Sequence, residues 1–375
     1  MTDTGVPTVE FDDGGGARDR SLTAGTVLAV GFALLAAVFA YDYWVDPEFV
    51  AFRQLDWPLT AAVLVVAVYG IVPMARRPEL ARDGLVRLAD DRRTLVALVT
   101  VSVLFLVGLV GPFLVAPPKV NILHAHQPPV WMSVDTVLVN GCTGPVADGR
   151  CSGTWRFPLG TARGGYDVLV WSIYGLRVTT ALALVSGLVV AGVGTVTGAV
   201  AGYVGGRTDE LLMRYVDIQQ VVPAFLVYIV LRLVLEGSLF ALVFIFGLLN
   251  WGGTARLVRS ETQSIAESGF VTAARASGAS KLAVLRSHVL PNVAGAALTA
   301  STGRVATLVL AEASLSFLDY GPPQAYSLGR LAAIGLTQLG PYPWIATVPV
   351  AILTAVALAL GVVGEGIRSA FDPRE

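Results

Sequence analysis

Charge is scarce in this sequence. Asp, Glu, Lys and Arg make up 14% of its 375 residues, whereas soluble domains carry about 25%. The charges that are present fall in clusters between long uncharged runs, a pattern that is typical of a membrane protein. The formal net charge of −1 creates no strong field and gives no reason to expect a nucleic-acid partner. We predict a protein whose main surroundings are a lipid bilayer.

The sequence also has few residues suited to catalysis. It contains three histidines and neither an H-E-x-x-H nor a G-x-S-x-G motif, so a membrane-bound enzyme would have no identifiable catalytic residues. It has no G-x-x-x-x-G-K-[ST] motif, and its two lysines, Lys119 and Lys281, are not candidates for holding a phosphate. We expect this chain to have no catalytic residue, metal or cofactor of its own.

Long apolar runs are abundant, and a membrane helix needs about 20 such residues. Three uncharged runs lie between Arg20 and Asp42, between Asp56 and Arg76, and between Arg93 and Lys119. Three more uncharged runs lie at 178–206, 237–255 and 344–364, and two runs interrupted by charge lie at 211–235 and 293–318. We predict an all-α, polytopic membrane helical bundle of about eight transmembrane helices. The two interrupted runs could instead be re-entrant or interfacial segments.

Basic residues predict the orientation, since cytoplasmic loops hold an excess of Lys and Arg. Most basic residues fall on the inner side if the N-terminus is inside, including the arginines between Arg76 and Arg93. Both termini are therefore predicted to be cytoplasmic, in a multi-pass protein of the cell membrane. No small-residue cleavage site follows the first apolar run, so we expect a retained helix there. Residues 1–21 are expected to form a disordered cytoplasmic tail.

The longest outer loop is rich in Pro, Gly and polar residues, and it contains Cys142, Cys151, His124 and His126. An extracellular disulfide between the two cysteines is favoured because that compartment permits oxidation. A metal site built from the four residues, or two free thiols, are the alternatives. After the tail, we divide the chain into three N-terminal helices at 22–116, the outer loop at 117–166 and a core at 167–375.

A long inner loop at 256–292 has the pattern of two short helices joined at a glycine. Ala273 favours helix, Gly278 interrupts it, Ser280 can cap a second helix and Pro291 marks its end. Small residues at the turn would let the groove of another protein approach the backbone closely. Local physics alone leaves open an ordinary amphipathic linker helix.

At this loop the sequence resembles a known family through the pattern A-A-x-x-x-G, followed further on by L-P. The pattern is similar to the cytoplasmic coupling motif in permeases of binding-protein-dependent ABC importers. The family has Glu where this chain has Thr272, so a charge that could pair with an ATPase subunit is absent. The residues expected to form the ATPase-coupling loop are Thr272, Ala273, Ala274, Gly278, Ala279, Leu290 and Pro291.

The resemblance extends from residue 157 to the end of the chain. The order of P-L-G-T, Y-G-L-R, A-G-Y-V-G-G-R-T-D-E-L-L-M-R-Y-V-D-I, A-R-L-V-R, A-E-A-S-L-S-F-L and F-D-P-R is similar to the dipeptide, oligopeptide and nickel branch. The chain departs from the family segment G-T-D-x-x-G-R-D-x-x-S-R, of which Gly160, Thr161, Gly165 and Asp167 remain. It also has three expected spans before the outer loop, where the family has one.

The resemblance implies a type I ABC importer core that forms half of a translocation pathway. Its implied partners are a second, different permease subunit, two ATPase subunits that use ATP, and an extracellular substrate-binding protein. The implied cargo is a dipeptide or oligopeptide. The residues themselves leave an alternative, a secondary transporter driven by an ion gradient. That alternative predicts an inverted repeat, and none is evident between the two halves.

Asp217, Arg304 and Glu312 lie within expected spans and are candidates for the pore or a subunit interface. A charge at the bilayer centre costs at least about 2.5 kcal/mol, so each needs a compensating contact. Pairing within the chain, for example of Arg304 with Glu312 two turns later, and contact with the substrate are both open. Pro223 predicts a kink in the fifth span. Glycines in the fourth span predict close packing, against this chain or a partner.

Overall fold

The computed structural model describes residues 15–44, 55–72, 91–235 and 237–371. The chain divides into two units, one up to Arg82 and one from Asp83 onwards. Within the described residues, the first unit contains α1 (Gly15–Trp44) and α2 (Asp56–Val66), which continues as a π-helical turn at Ala67–Ile71.

The second unit is a helical bundle, and it also contains a small three-stranded sheet between its first and second helices in the chain. Its helices are α3 (Arg92–Leu114), α4 (Val168–Ala181), α5 (Gly187–Val204), α6 (Gly206–Val221), α7 (Ala224–Arg232), α8 (Leu239–Leu248), α9 (Gly252–Ala266), α10 (Gly269–Ala276), α11 (Lys281–Val284), α12 (Leu290–Phe317), α13 (Leu328–Leu336) and α14 (Trp344–Phe371). Its strands are β1 (Ser133–Asp135), β2 (Val146–Ala147) and β3 (Arg150–Ser152). Two π-helical turns, Leu182–Ser186 and Leu285–Val289, join α4 to α5 and α11 to α12.

In the first unit, α1 and α2 pack through apolar side chains. A Cβ on Gly31 would stand 2.6 Å from Cδ2 of Leu64, so the glycine permits this contact. The rings of Phe39 and Trp57 meet edge to face with centroids 5.1 Å apart. The expected disordered tail, 1–21, differs from the structure in part. Residues 1–14 lie outside the described residues, but α1 already begins at Gly15, because extending an existing helix needs no new nucleus.

Six helical segments of the described residues are long and apolar enough to cross a bilayer, and a bent pair, α6 with α7, would make seven. Together, the six segments and the bent pair correspond to seven of the eight expected spans. The second expected span, 56–76, is a shorter apolar helix at Asp56–Gly70, and its predicted end lies outside the described residues. The polytopic helical bundle is confirmed, whereas the number of full-length spans falls short of eight in the described part.

The third helix, α3, belongs with the core and not with the N-terminal segment expected at 22–116. It packs on α4 and α14. A Cβ on Gly108 would lie 2.6 Å from the carbonyl oxygen of Leu176, and one on Gly111 would lie 2.5 Å from Cγ2 of Ile173. Close contact therefore depends on these two glycines. The segment expected as an outer loop separates α3 from α4 in sequence, but it does not separate them in space.

A row of glycines lets α5 and α9 lie in close contact. Gly194, Gly198 and Gly202 are four residues apart, which places them on one face of α5. A Cβ on Gly198 would stand 2.4 Å from the carbonyl oxygen of Ala255, and one on Gly202 would stand 2.6 Å from that of Arg259. The glycines of the fourth span thus pack against a helix of the same chain.

The fifth span is broken at Pro223, where α6 and α7 meet at an angle of 64°. Val222 has extended backbone angles and Pro223 occupies the N-cap of α7. The residue before a proline disfavours the helical conformation, so α6 ends here and a new helix starts in another direction. The expected kink is a complete break.

The segment expected as an outer loop, 117–166, contains an antiparallel sheet in the order β1-β3-β2. Cys142 and Cys151 form a disulfide with their Cα atoms 5.8 Å apart. Both sulfur atoms are therefore unavailable to the alternative metal site. The segment packs on the start of α14, where the indole of Trp344 donates a hydrogen bond to the carbonyl oxygen of Thr161.

A second contact joins this sheet-containing segment to the connection between α13 and α14. The ring of His126 stacks on that of Tyr342 with centroids 4.0 Å apart, and its Nε2 lies 2.9 Å from Oε1 of Gln338. Burial lowers the pKa of His126, because a charged imidazole loses hydration at this position. The segment is thus attached to the bundle by aromatic and polar contacts.

We predict that Gly198→Ala destabilises the protein by about 1–3 kcal/mol, because the added methyl group has no room beside the backbone of α9. The matched control is Gly192→Ala on the same helix, where a Cβ would meet no atom within 4 Å. Thermal unfolding of both variants in one detergent compares them. Equal unfolding temperatures would show that the glycine row does not limit helix approach.

Candidate functional site

The inner loop folds as two short helices joined by a glycine turn. At the end of α10 the N–H of Gly278 donates to the carbonyl of Arg275 at 3.0 Å, and the N–H of Ala279 donates to that of Ala274 at 3.1 Å. This pair of bonds is a Schellman motif, which needs a residue with positive φ after the helix. Gly278 has φ +83°. Glycine therefore sets the angle at which the chain leaves α10.

The second helix begins directly after this turn. The hydroxyl of Ser280 caps α11 by accepting a hydrogen bond from the N–H of Ala283 at 3.2 Å. Pro291, expected to mark the end of this helix, instead lies in the first turn of α12. Proline is tolerated in a first turn, and the π-helical turn before Leu290 makes α11 and α12 almost continuous.

Buried side chains fix the loop to the bundle. Val271 of α10 is fully buried and Val284 of α11 is nearly so. Both belong to one apolar cluster with residues of α5, α9 and α12, and Ala274 packs against this cluster. The guanidinium of Arg275 lies over the ring of Tyr203 on α5, 4.8 Å from its centroid, and Nε donates to the phenol oxygen at 3.2 Å. The loop is thus attached to three long helices.

The opposite side of the loop is exposed. Thr272, Ala273, Gly278 and Ala279 are all exposed, and a Cβ on Gly278 would meet no atom of the described residues within 4 Å. The large apolar side chains of Phe270 and Leu282 are also exposed, at 49% and 57%. A surface of small residues bordered by two apolar side chains is suited to contact with a second protein.

A bidentate ion pair near the loop was not expected from the sequence. Nε and Nη2 of Arg259 on α9 donate to the two carboxylate oxygens of Asp209 on α6 at 2.5 and 2.6 Å. Bidentate pairs of this kind hold two groups in a fixed geometry. Both residues lie in quoted family motifs, but no spacing rule relates residues fifty positions apart. The pair ties the start of the broken span to α9.

The three intramembrane candidates have different surroundings. Asp217 pairs with Arg256 and is exposed. Glu312 is fully buried, and its carboxylate accepts a hydrogen bond from the hydroxyl of Ser316 at 2.7 Å. Arg304 has no ion-pair or hydrogen-bond partner among the described residues, so the suggested pairing of Arg304 with Glu312 is not formed. The three residues therefore do not form one site.

Arg304 lies instead in a cavity of about 330 Å³ at the break between α6 and α7. The cavity is lined by Gln219, Pro223 and Phe225 from the broken span, and by Asn250 and Gly253 from the region where α9 begins. The sequence offered one signal for this place, a proline within an apolar run. It could not indicate that Arg304, eighty residues later, lines the same cavity.

Comparison with known proteins supports a transport role. The family model described as "Binding-protein-dependent transport system inner membrane component" matches residues 194–375. An oligopeptide transport system permease protein, OppC, of Bacillus subtilis (strain 168) is 28% identical over 301 residues, which cover 79% of this chain and 90% of that protein.

Two further relatives have a higher percentage of identical residues. The dipeptide transport system permease protein DppC of Bacillus subtilis (strain 168) is 30% identical over 303 residues, covering 80% of this chain and 88% of the relative. OppC of Mycobacterium tuberculosis (strain ATCC 25618 / H37Rv) is 34% identical over 218 residues, covering 57% and 75%. These matches give no support to an ion-driven secondary transporter. The chain belongs to the family of inner membrane components of binding-protein-dependent transport systems, the permease subunits of ABC importers.

Proposed function

We propose that this chain is the permease of an ABC importer for dipeptides or oligopeptides and forms half of its translocation pathway. A second, different permease supplies the other half, two ATPase subunits use ATP, and an extracellular binding protein delivers the peptide. The names of the relatives, oligopeptide and dipeptide permeases, support the cargo. The sequence has no phosphate-binding motif, which agrees with ATP hydrolysis on separate subunits.

The attached loop of α10 and α11 is the observation that carries this proposal. Its exposed side offers small residues to a partner, while its buried side contacts α5, α9 and α12. A partner that holds α10 can therefore move three long helices at once, because Val271 and Val284 leave the loop little freedom to move by itself. In the proposed complex the ATPase subunit is that partner.

The moving part of the pathway is the helix set joined to this loop. Packed helices with two alternative arrangements convert a small displacement at one end into opening or closing at the other. The ion pair of Asp209 with Arg259 links α9 to α6, so motion of the loop also reaches the broken span. We propose that these helices rock between inward-open and outward-open states as ATP is bound and hydrolysed.

We expect Gly278→Val to uncouple transport from ATP hydrolysis. Valine is β-branched and disfavours positive φ, so the substitution costs about 1–3 kcal/mol at the turn. Loss of the turn would lower peptide uptake roughly tenfold while the ATPase subunits keep their basal hydrolysis. Uptake and hydrolysis are measured in parallel on the full complex in proteoliposomes.

Gly278→Asn is the matched control, because asparagine tolerates positive φ better than other non-glycine residues. It adds a side chain of similar size into the same open space. We expect it to retain most of the uptake. If the valine variant transports normally, or if both variants fail equally, the conformation of the turn is not what couples the two activities.

The proposed orientation places the loop in the cytoplasm and the disulfide outside. A membrane-impermeant maleimide should therefore label Ser277→Cys in inside-out vesicles and not in intact cells. In intact cells the same reagent should label Cys142 and Cys151 only after treatment with an impermeant reductant. Labelling of the Ser277→Cys variant from outside intact cells would reverse the orientation and remove the docking role.

A further inference from the structure

The cavity at the broken span has the properties of a binding site and has no role in the coupling mechanism. Its volume, about 330 Å³, is within the range of small-ligand sites, about 300–1,000 Å³. Among the described residues that line it, Arg304 is the one that carries a charge. That residue lies at the middle of α12, far from either end of the helix. A charge at this depth of a membrane protein is costly and is typical of a functional position.

The guanidinium of Arg304 has no partner within the described part of the chain. Its Nη2 stands about 3.0 Å from the position that a Cβ on Gly253 would occupy, so glycine leaves room for it at the start of α9. Arginine carries five N–H donors that match the two oxygens of a carboxylate. The cavity therefore contains a permanent positive charge whose natural complement, an anion, is not provided by its own walls.

Two helix N-termini add to this positive charge. Ala224 and Phe225, the first residues of α7, line the cavity, and so do Gly252 and Gly253, the first residues of α9. The N–H groups of a first helical turn have no partner within the helix, and the helix dipole favours an anion there. In secondary transporters, a different class, half-helix N-termini at broken helices face anionic groups of the substrate, and the same physical reason applies to the N-termini here.

Gln219 supplies an independent sign of a ligand. It is 4% exposed and lines the same cavity. Its Nε2 donates to the carbonyl oxygen of Leu248 at 2.6 Å, whereas its Oε1 is buried and has no hydrogen-bond partner among the residues that the structure describes. A buried unpaired acceptor costs about 1–3 kcal/mol and is unusual in proteins. It would be satisfied by an N–H donor that enters the cavity.

We propose that this cavity binds the C-terminal end of the peptide during transport. Arg304 and the two helix N-termini bind the terminal carboxylate, and Oε1 of Gln219 accepts a hydrogen bond from a peptide N–H. The proposal rests on the proposed import of peptides and names the part of the cargo that the permease itself recognises. A carboxylate side chain from a partner subunit fits less well, because it would leave Oε1 of Gln219 without a donor.

The test compares two cargoes that differ at one group. Trialanine has a terminal carboxylate, and trialanine amide lacks that charge. Uptake of each is measured with the full complex in proteoliposomes, and the affinity of each peptide for the external binding protein is measured separately. The ratio of the two uptake rates is then divided by the ratio of the two affinities for the binding protein. The result is the preference of the permease itself between the two peptides.

We expect Arg304→Gln to lower the uptake of trialanine about tenfold, which corresponds to one charge-assisted hydrogen-bonded pair, and to change that of the amide less than about twofold. Arg304→Lys should keep part of the preference because it keeps the charge. The control is Arg214→Gln, since Arg214 forms only an exposed pair with Glu210 on one helix face. That variant should leave both uptake rates unchanged.

Basal ATP hydrolysis and co-purification of the second permease show that each variant is assembled. An equal loss for both peptides would overturn the proposal and make Arg304 a structural residue. Loss of the second permease from the Arg304→Gln complex would overturn it in favour of a subunit contact. If the unaltered complex imports neither peptide with ATP, the proposed function itself fails, and this inference fails with it.

Discussion

The attachment of α10 and α11 to the ends of α5, α9 and α12 is the contact on which the rest of the account depends. Two buried valines and the Arg275–Tyr203 pair hold the loop on one side, and the Schellman turn at Gly278 sets its shape. The other side is left open to solvent. A loop that is rigid toward its own chain and exposed toward a partner can transmit a displacement, whereas a flexible linker would absorb it.

The sequence predicted the parts of this structure that depend on local pattern. Apolar runs indicated the long helices, Gly278 and Ser280 indicated the helix–turn–helix loop, and Pro223 indicated a break in the fifth span. The sequence pattern did not predict which distant segments contact each other. The bidentate pair of Asp209 with Arg259 and the glycine contacts of α3 follow from how helices pack, which no spacing within one segment encodes. The short strands around Cys151 escaped notice for a related reason, since two- or three-residue strands have no detectable period.

In the proposed mechanism, the broken span connects the coupling loop with the cavity where cargo is recognised. Because α6 ends at Val221 and α7 starts at Ala224, first-turn N–H groups lie beside the cavity that Arg304 lines. Backbone of this kind is tolerated at membrane depth only where protein or a polar cavity surrounds it. The same helix α6 is tied to α9 by an ion pair at its other end, so the loop and the cavity share mechanical elements. The N-terminal unit, α1 and α2, precedes α3, which packs with the core.

The most direct test of the central claim is a cross-link between this chain and an ATPase subunit. Ala273→Cys places one free thiol on the exposed side of α10, while the native cysteines remain in their disulfide. With a photoactivatable maleimide, which attaches to this thiol and on illumination inserts into any neighbouring side chain, the account predicts a cross-linked product with an ATPase subunit in the assembled complex, and none from Ala147→Cys on β2. Absence of the product at Ala273→Cys in an active complex, or its formation at Ala147→Cys, would contradict the account.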